Sequence, residues 1–149
     1  MQETKYAEAL LKVDNGVVIS GDPAQWKCAE CGLGDNLWLN LSDGHIGCGR
    51  QQEGGQEGHS HALKHFKDSG ELYPLAVKLG TITQDGKGDV YSYAADEDDM
   101  VKNPFLAEHL ARWVSRTQPI CFCAYISFMF RVHAGHQHEL PQQDGEING

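Results

Sequence analysis

Apolar and polar positions alternate most cleanly at Leu37, Leu39 and Leu41, with Trp38 and Asn40 on the opposite side. That period of two predicts a half-buried strand over NLWLNL at 36–41. Ser42-Asp43-Gly44 then reads as a turn, and HIGC at 45–48 as the returning hairpin partner. LAVKLGTI at 75–82 and VYSY at 90–93 predict two more strands around the turn QDGKGD, and LLKVDNGVVI in the N-terminal 25 residues predicts an edge strand. Two stretches switch to helical spacing. SHALKHFKDSG carries Ala62, Leu63 and Phe66 as its apolar positions and Gly70 as a C-terminal stop. The second helix is predicted to start with Asn103 as cap and Pro104 at its first position. Its apolar stripe is Phe105, Leu106, His109, Leu110, Trp113 and Val114. GRQQEGGQEG at 49–58 and the acidic AADEDDM at 94–100 read as loops. After Ser115 no period holds. The chain therefore divides into a lead-in over 1–25, a main unit over 26–114, and an atypical tail over 115–149 expected to be disordered or non-native.

Composition narrows the function. The chain has 149 residues, 40% hydrophobic and 22% charged, enough for one domain with a real core. A formal charge of −9 excludes a phosphate-backbone binder, which needs a basic face. No apolar run approaches the roughly 18–20 residues of a membrane span; the nearest, Ile120 to Phe130, is too short. The first residues lack the apolar core of a secretory signal, so a reducing compartment, cytoplasmic or nuclear, is the expected setting. There, clustered cysteines mark a metal site more often than disulfides.

The chain has five cysteines, and three of them lead to a metal. Cys28-x2-Cys31 puts two thiolates on one tight turn, and Cys48 follows 17 positions later on the hairpin. A histidine completes a tetrahedral set of three sulfurs and one nitrogen. That is the chemistry of a closed, structural zinc with no position left for water. Spacing alone leaves His45, His59, His61 and His65 as candidates, with His59 and His61 competing most closely. Ligands drawn from a knuckle, a hairpin and a helix would couple zinc binding to folding.

A run of longer motifs carries more information: WKCAEC, NLWLNLSDG, CGR, HA, YPLAVKLGTIT, DVYSY and DEDDMV, in this order. In these the chain resembles the zinc-finger ubiquitin-binding domain of ubiquitin-specific proteases, and most of all the isopeptidase T group, from about Trp26 to Val114. The resemblance implies an α+β fold: a small twisted antiparallel sheet with two helices and one structural zinc. It selects Cys28, Cys31, Cys48 and His61 as the ligands. It also implies a narrow pocket for the free C-terminal Gly-Gly of ubiquitin or of unanchored polyubiquitin, formed by Trp38, Arg50, Tyr91, Tyr93 and one acidic residue. Two additional residues, with Ala94 and Ala95 as candidates, leave that acid as Asp96 or Asp98. Distance from Tyr93 favours Asp96. The residue chemistry suits the task. Arg50 offers a planar fork for a carboxylate, Tyr91 and Tyr93 share one strand face, and Trp38 can lie flat on a backbone that carries no side chain.

The chain departs from the pattern after CGR. Gln51, Gln52 and Glu53 stand where the isopeptidase T group has aromatic residues, which implies weaker binding. A catalytic role is not expected of this chain, because three cysteines are committed to zinc and Cys121 and Cys123 have no recognisable catalytic context. The reading is a monomeric binding module, part of a longer ubiquitin carboxyl-terminal hydrolase. The alternative is a zinc-stabilised interaction scaffold with an idle pocket.

Overall fold

The computed structural model describes residues 1–83 and 85–113; the expectations for Val114 and for 115–149 lie outside the described residues. Strands β1 (Leu37–Asn40), β2 (Ile46–Cys48), β3 (Leu75–Lys78), β4 (Val90–Ser92) and β5 (Asp99–Val101) form one antiparallel sheet in the order β2-β1-β3-β4-β5. Helix α1 (His61–Asp68) follows β2, and α2 (Leu106–Ala111) follows β5. This is the α+β architecture anticipated from the sequence.

The alternation along β1 holds. Leu37, Leu39 and Leu41 are buried on one face with Leu75, Val77 and Val90, and Leu106, Leu110 and Trp113 join the same core. Trp113 also donates its indole N–H to the carbonyl of Leu41 at 3.2 Å. The opposite face carries Trp38, paired with Lys78 across β3, and Tyr91, paired with Met100 across β5. Asn40 is buried despite its polarity because each end of its amide is used. Nδ2 donates to the carbonyl of Tyr73, while Oδ1 accepts from the backbone N–H of Ser42 and Asp43, starting the turn the sequence predicts.

Helix α1 covers the β1–β2 hairpin through Ala62 and Phe66. It can sit that low because residue 47 is glycine: a Cβ there would lie 2.7 Å from the backbone nitrogen of Ala62. The helix ends as predicted at Gly70, whose φ of 79° allows the N–H of Glu71 to reach back to the carbonyl of Phe66.

Four expectations are corrected. The third strand stops at Lys78, because the chain turns at Gly80 with φ 96° and Thr81 N–H bonds back to Lys78. The acidic run is not all loop: Asp99–Val101 is strand β5, where Val101 is buried and pairs with Val90. Its carboxylates hid the single apolar pair Met100-Val101 from a reading by hydropathy. Among the described residues LLKVDNGVVI forms no run of strand, only a single bridge position at Ile19. It crosses the core irregularly, fixed by Leu10 and Ile19 and by hydrogen bonds from Val13 to Ser42 and from Ile19 to Trp113. Asn103 closes the turn before α2 by accepting the N–H of Phe105, and the helix itself begins at Leu106.

Buried His109 ties folding to pH. Its Nδ1 accepts from the side-chain amide of Asn103 at 3.0 Å, and burial, aided by the charge of Lys12, pushes its pKa down. The fold holds this imidazole neutral while the unfolded chain protonates it near about 6.5. Its contribution is complete above that value and is lost as pH falls from there through the depressed value of the folded state. The urea midpoint of the zinc-loaded protein should therefore fall between pH 7.5 and 5.5, and the fall should be shallower in His109→Gln. Gly47→Ala should cost about 1–3 kcal/mol in the same measurement, because the added methyl meets helix backbone and not a movable side chain.

Candidate zinc centre and ligand pocket

The knuckle is a tight turn held by its own backbone. Gly32 N–H bonds to the carbonyl of Cys28, Cys28 N–H bonds to the carbonyl of Leu33, and Gly32 takes a φ of 76° that glycine permits. Ala29 N–H bonds to Ile46, which pins the knuckle beside β2. Cys48 ends β2 and His61 opens α1. These elements bring one donor atom each from Cys28, Cys31, Cys48 and His61 within 4.8 Å of one another.

The separations fit zinc. Bonds of about 2.3 Å to sulfur and about 2.0 Å to nitrogen at tetrahedral angles give edges of about 3.8 Å between sulfurs and about 3.5 Å between sulfur and nitrogen. The structure has 3.9 Å between Cys31 Sγ and Cys48 Sγ, and 3.5 Å from His61 Nδ1 to both Cys28 Sγ and Cys48 Sγ. The donor set is therefore a closed Cys3His site for one structural zinc.

The other three candidate histidines have different work. His59 Nδ1 lies 3.4 Å from Cys31 Sγ, its backbone N–H donates to Cys48 Sγ, and its Nε2 faces Glu57 at 3.3 Å. It therefore braces two ligands from outside the tetrahedron. His65 pairs with Asp43 at 2.6 Å, and His45 stacks on His65 with ring centres 3.7 Å apart. Burial followed by the charge of His65 lowers the pKa of His45. Cys28 is prepared as a thiolate. Burial raises its pKa, but hydrogen bonding with the backbone of Cys31, Glu30 and Cys48 outweighs burial and brings it down to about 6.

Beside the zinc centre lies a hollow of about 570 Å³, lined on one side by Trp38, Tyr91 and Tyr93 and on the others by Arg50, Leu63, Asp98 and Met100. Trp38 meets Tyr91 edge to face at 6.4 Å, Tyr91 and Tyr93 are 5.0 Å apart, and Tyr93 stacks on Phe66 of α1 at 5.4 Å. The loop carrying Arg50 is held at its backbone. Asn36 donates its side-chain amide to the carbonyls of Arg50 and Glu57, and Gly49 N–H bonds to the carbonyl of Asn36. Residue 49 must be small, since a Cβ would fall 2.7 Å from both Asn36 Oδ1 and Trp38 Nε1. The Arg50 side chain remains exposed.

Of the residues singled out in the sequence, Trp38, Arg50, Tyr91 and Tyr93 meet at this hollow and Asp96 does not. Asp96 pairs instead with Lys5 and accepts the hydroxyl of Tyr6 at 2.6 Å. The acid at the hollow is Asp98, which accepts the hydroxyl of Tyr91 at 2.8 Å. The turn at Ala94–Asp98 is the reason: it displaces Asp96 outward before the chain returns as β5. Burial first, then Asp98, pushes the Tyr91 phenol up to about 12, and burial pushes Tyr93 upward as well. Both hydroxyls therefore stay protonated as donors at neutral pH. Leu63, Asp99 and Met100 were not foreseen here. Leu63 sat within the apolar stripe of a helix, and Asp99 and Met100 within an acidic segment read as loop.

A sheet with a Cys3His centre between its hairpin and its first helix defines a zinc-finger domain. A family model described as "Zn-finger in ubiquitin-hydrolases and other protein" matches residues 28–106, and the chain belongs to that family. It is 54% identical over 112 residues to ubiquitin carboxyl-terminal hydrolase 5 of Homo sapiens, a match covering 75% of this chain and 12% of that protein. It is 50% identical over 113 residues to ubiquitin carboxyl-terminal hydrolase 13 of Gallus gallus, covering 76% and 12%. It is 50% identical over 111 residues to ubiquitin carboxyl-terminal hydrolase 14 of Arabidopsis thaliana, covering 74% and 13%. The chain thus spans about an eighth of the length of these curated relatives.

The two histidines beside the thiolates should separate in a zinc assay. His61→Ala should lose the bound zinc and with it the cooperative unfolding transition. His59→Ala should keep one zinc per chain but release it faster to a chromogenic chelator, by about tenfold or more.

Proposed function

We propose that this domain recognises the free C-terminal Gly-Gly carboxylate of ubiquitin, on single ubiquitin or on unanchored chains. The observation that carries the reading is Arg50 at a slot walled by Trp38, Tyr91 and Tyr93. Among the described residues that line the hollow it is the one cation. A guanidinium suits a carboxylate by charge and by its planar pair of donors. Aromatic faces suit a Gly-Gly backbone, where a side chain would be excluded. Asp98 and Asp99 give the hollow an acidic side suited to a basic residue preceding the glycines.

On this reading the chain binds and performs no chemistry, and catalysis belongs to the rest of a longer ubiquitin carboxyl-terminal hydrolase. The similarity to three such enzymes over one short segment supports this. Among the described residues no helix is long and apolar enough to cross a membrane. We place the protein in the cytoplasm, the nucleus or both, as a monomer. Nucleic acid is not its partner, given the formal charge of −9.

The second reading, an idle pocket on a zinc-stabilised scaffold, draws on the loop after Arg50. Gln52 N–H bonds to the carbonyl of Gln56, and Gly55 N–H to the carbonyl of Gln52, so the loop closes on itself with Glu53 exposed. It offers ubiquitin little apolar area.

Calorimetric titration separates the two readings. Ubiquitin should bind, ubiquitin lacking its last two glycines should not, and Arg50→Ala should lose about 2–5 kcal/mol. No heat from either ligand, with zinc and fold intact, would favour the scaffold. Placing Tyr at 52 and Phe at 53 should strengthen binding by about 1–3 kcal/mol through added buried area. Submicromolar wild-type affinity, unimproved by those two changes, would refute the argument from the polar loop.

A further inference from the structure

We propose that residues 2–6 form a strap that positions Asp98 in the ligand pocket, with Thr4 and Glu97 as the positioning pair. The inference rests on the reading of the pocket given above. Asp98 is poorly determined by its own neighbours in sequence. It ends a turn in which both Glu97 N–H and Asp98 N–H bond to the carbonyl of Ala94, and it takes a φ of 41°, in the left-handed region that a residue with a side chain occupies at a cost. Such a conformation persists where surrounding contacts over-determine it.

Those contacts come from the other end of the chain. Glu97 accepts the hydroxyl of Thr4 on one carboxylate oxygen, at 2.7 Å, and the backbone N–H of Lys5 on the other, at 3.0 Å. Asp96 pairs with the ammonium of Lys5 and accepts the hydroxyl of Tyr6. Two successive carboxylates of the turn are thus tied to three successive residues of the strap. Thr4 is buried, and its Oγ1 also accepts the N–H of Tyr6, so the hydroxyl sits at the centre of the joint.

The strap is itself anchored. Thr4 N–H bonds to the carbonyl of Lys102 and Lys102 N–H to the carbonyl of Gln2, an extension of the chain leaving β5. Ala7 and Leu10, just beyond, are buried in the core. The turn is therefore held between the sheet edge and the strap, and its last residue delivers a carboxylate to the hydroxyl of Tyr91. The orientation of one pocket wall depends on residues some 90 positions away in sequence.

Thr4→Val removes the hydroxyl at nearly constant volume. In calorimetry with ubiquitin it should weaken binding by about three- to tenfold, the scale of one hydrogen bond. Thr4→Ser should restore wild-type affinity. In an Asp98→Asn background Thr4→Val should have little further effect, since the residue it positions has already lost its charge. An equal loss in both backgrounds would overturn the proposal in favour of a general effect on the fold. The ring resonances of Tyr91, assigned by NMR on the zinc-loaded protein without ubiquitin, should shift in Thr4→Val and return in Thr4→Ser. If the wild type fails to bind ubiquitin, the functional reading falls, and the Tyr91 resonances alone decide the strap: unchanged in Thr4→Val, they overturn it. If Thr4→Val does not fold, Tyr6→Phe removes the exposed bond to Asp96 and takes its place in both measurements with the same expected outcomes.

Discussion

Three sulfurs and one imidazole nitrogen within 4.8 Å of one another are the constraint on which the rest of this small domain depends. Each donor sits at the end of an element, not within one. Cys28 and Cys31 belong to a knuckle, Cys48 is the last residue of β2, and His61 is the first of α1. One zinc therefore fixes three junctions at once, in a domain whose strands are three or four residues long and whose helices are six and eight. Elements that short have little stability of their own. Metal coordination supplies what local propensity does not.

The pocket inherits its geometry from the same junctions. Arg50 lies two residues after the ligand Cys48, and Leu63 two residues after the ligand His61, so two sides of the hollow are placed by the metal centre. The aromatic side is placed by the sheet, through the register that sets Trp38 against Lys78 and Tyr91 against Met100. Asn36 and the glycines at 49 and 58 join these sides. A Cβ at Gly58 would collide with the carbonyl of Gly49, so the loop returns close against the strand exit that presents Arg50. The acidic side alone comes from a turn with weak local determinants, and it is the side braced by the N-terminal residues.

The other described histidines are each held by a neighbouring side chain, which separates them from the ligand. His65 is held by Asp43, His45 stacks on it, His109 is held by Asn103, and His59 leans on a thiolate. Among the described histidines, His61 alone presents a nitrogen at the distance from two sulfurs that a tetrahedral metal requires. Spacing along the chain could not separate His59 from His61, because two residues at a loop–helix boundary are equally close to Cys48 until the backbone turn at Ser60, with φ 57°, sends them in different directions.

Near neighbours along the chain set the elements whose signals are local and strong. Alternation at Leu37, Leu39 and Leu41, the turn at Ser42–Gly44, the Cys-x2-Cys knuckle and the Gly70 helix stop depend on near neighbours and appear in the structure as read. The ordered motifs were also enough to name Trp38, Arg50, Tyr91 and Tyr93, which meet at the hollow. Tertiary structure decided the rest. Strand β5 exists because β4 offers it a partner, against the charge of its own segment. The lead-in lost its strand because Leu10 and Ile19 reach the core only along an irregular path. Asp98 replaced Asp96 at the pocket because the turn at Ala94–Asp98 directs Asp96 outward, where Lys5 and Tyr6 hold it. For the lead-in and for Asp96 the deciding partners lie far away in sequence, and for β5 the partner is the preceding strand; each contribution enters only when the chain has closed on itself.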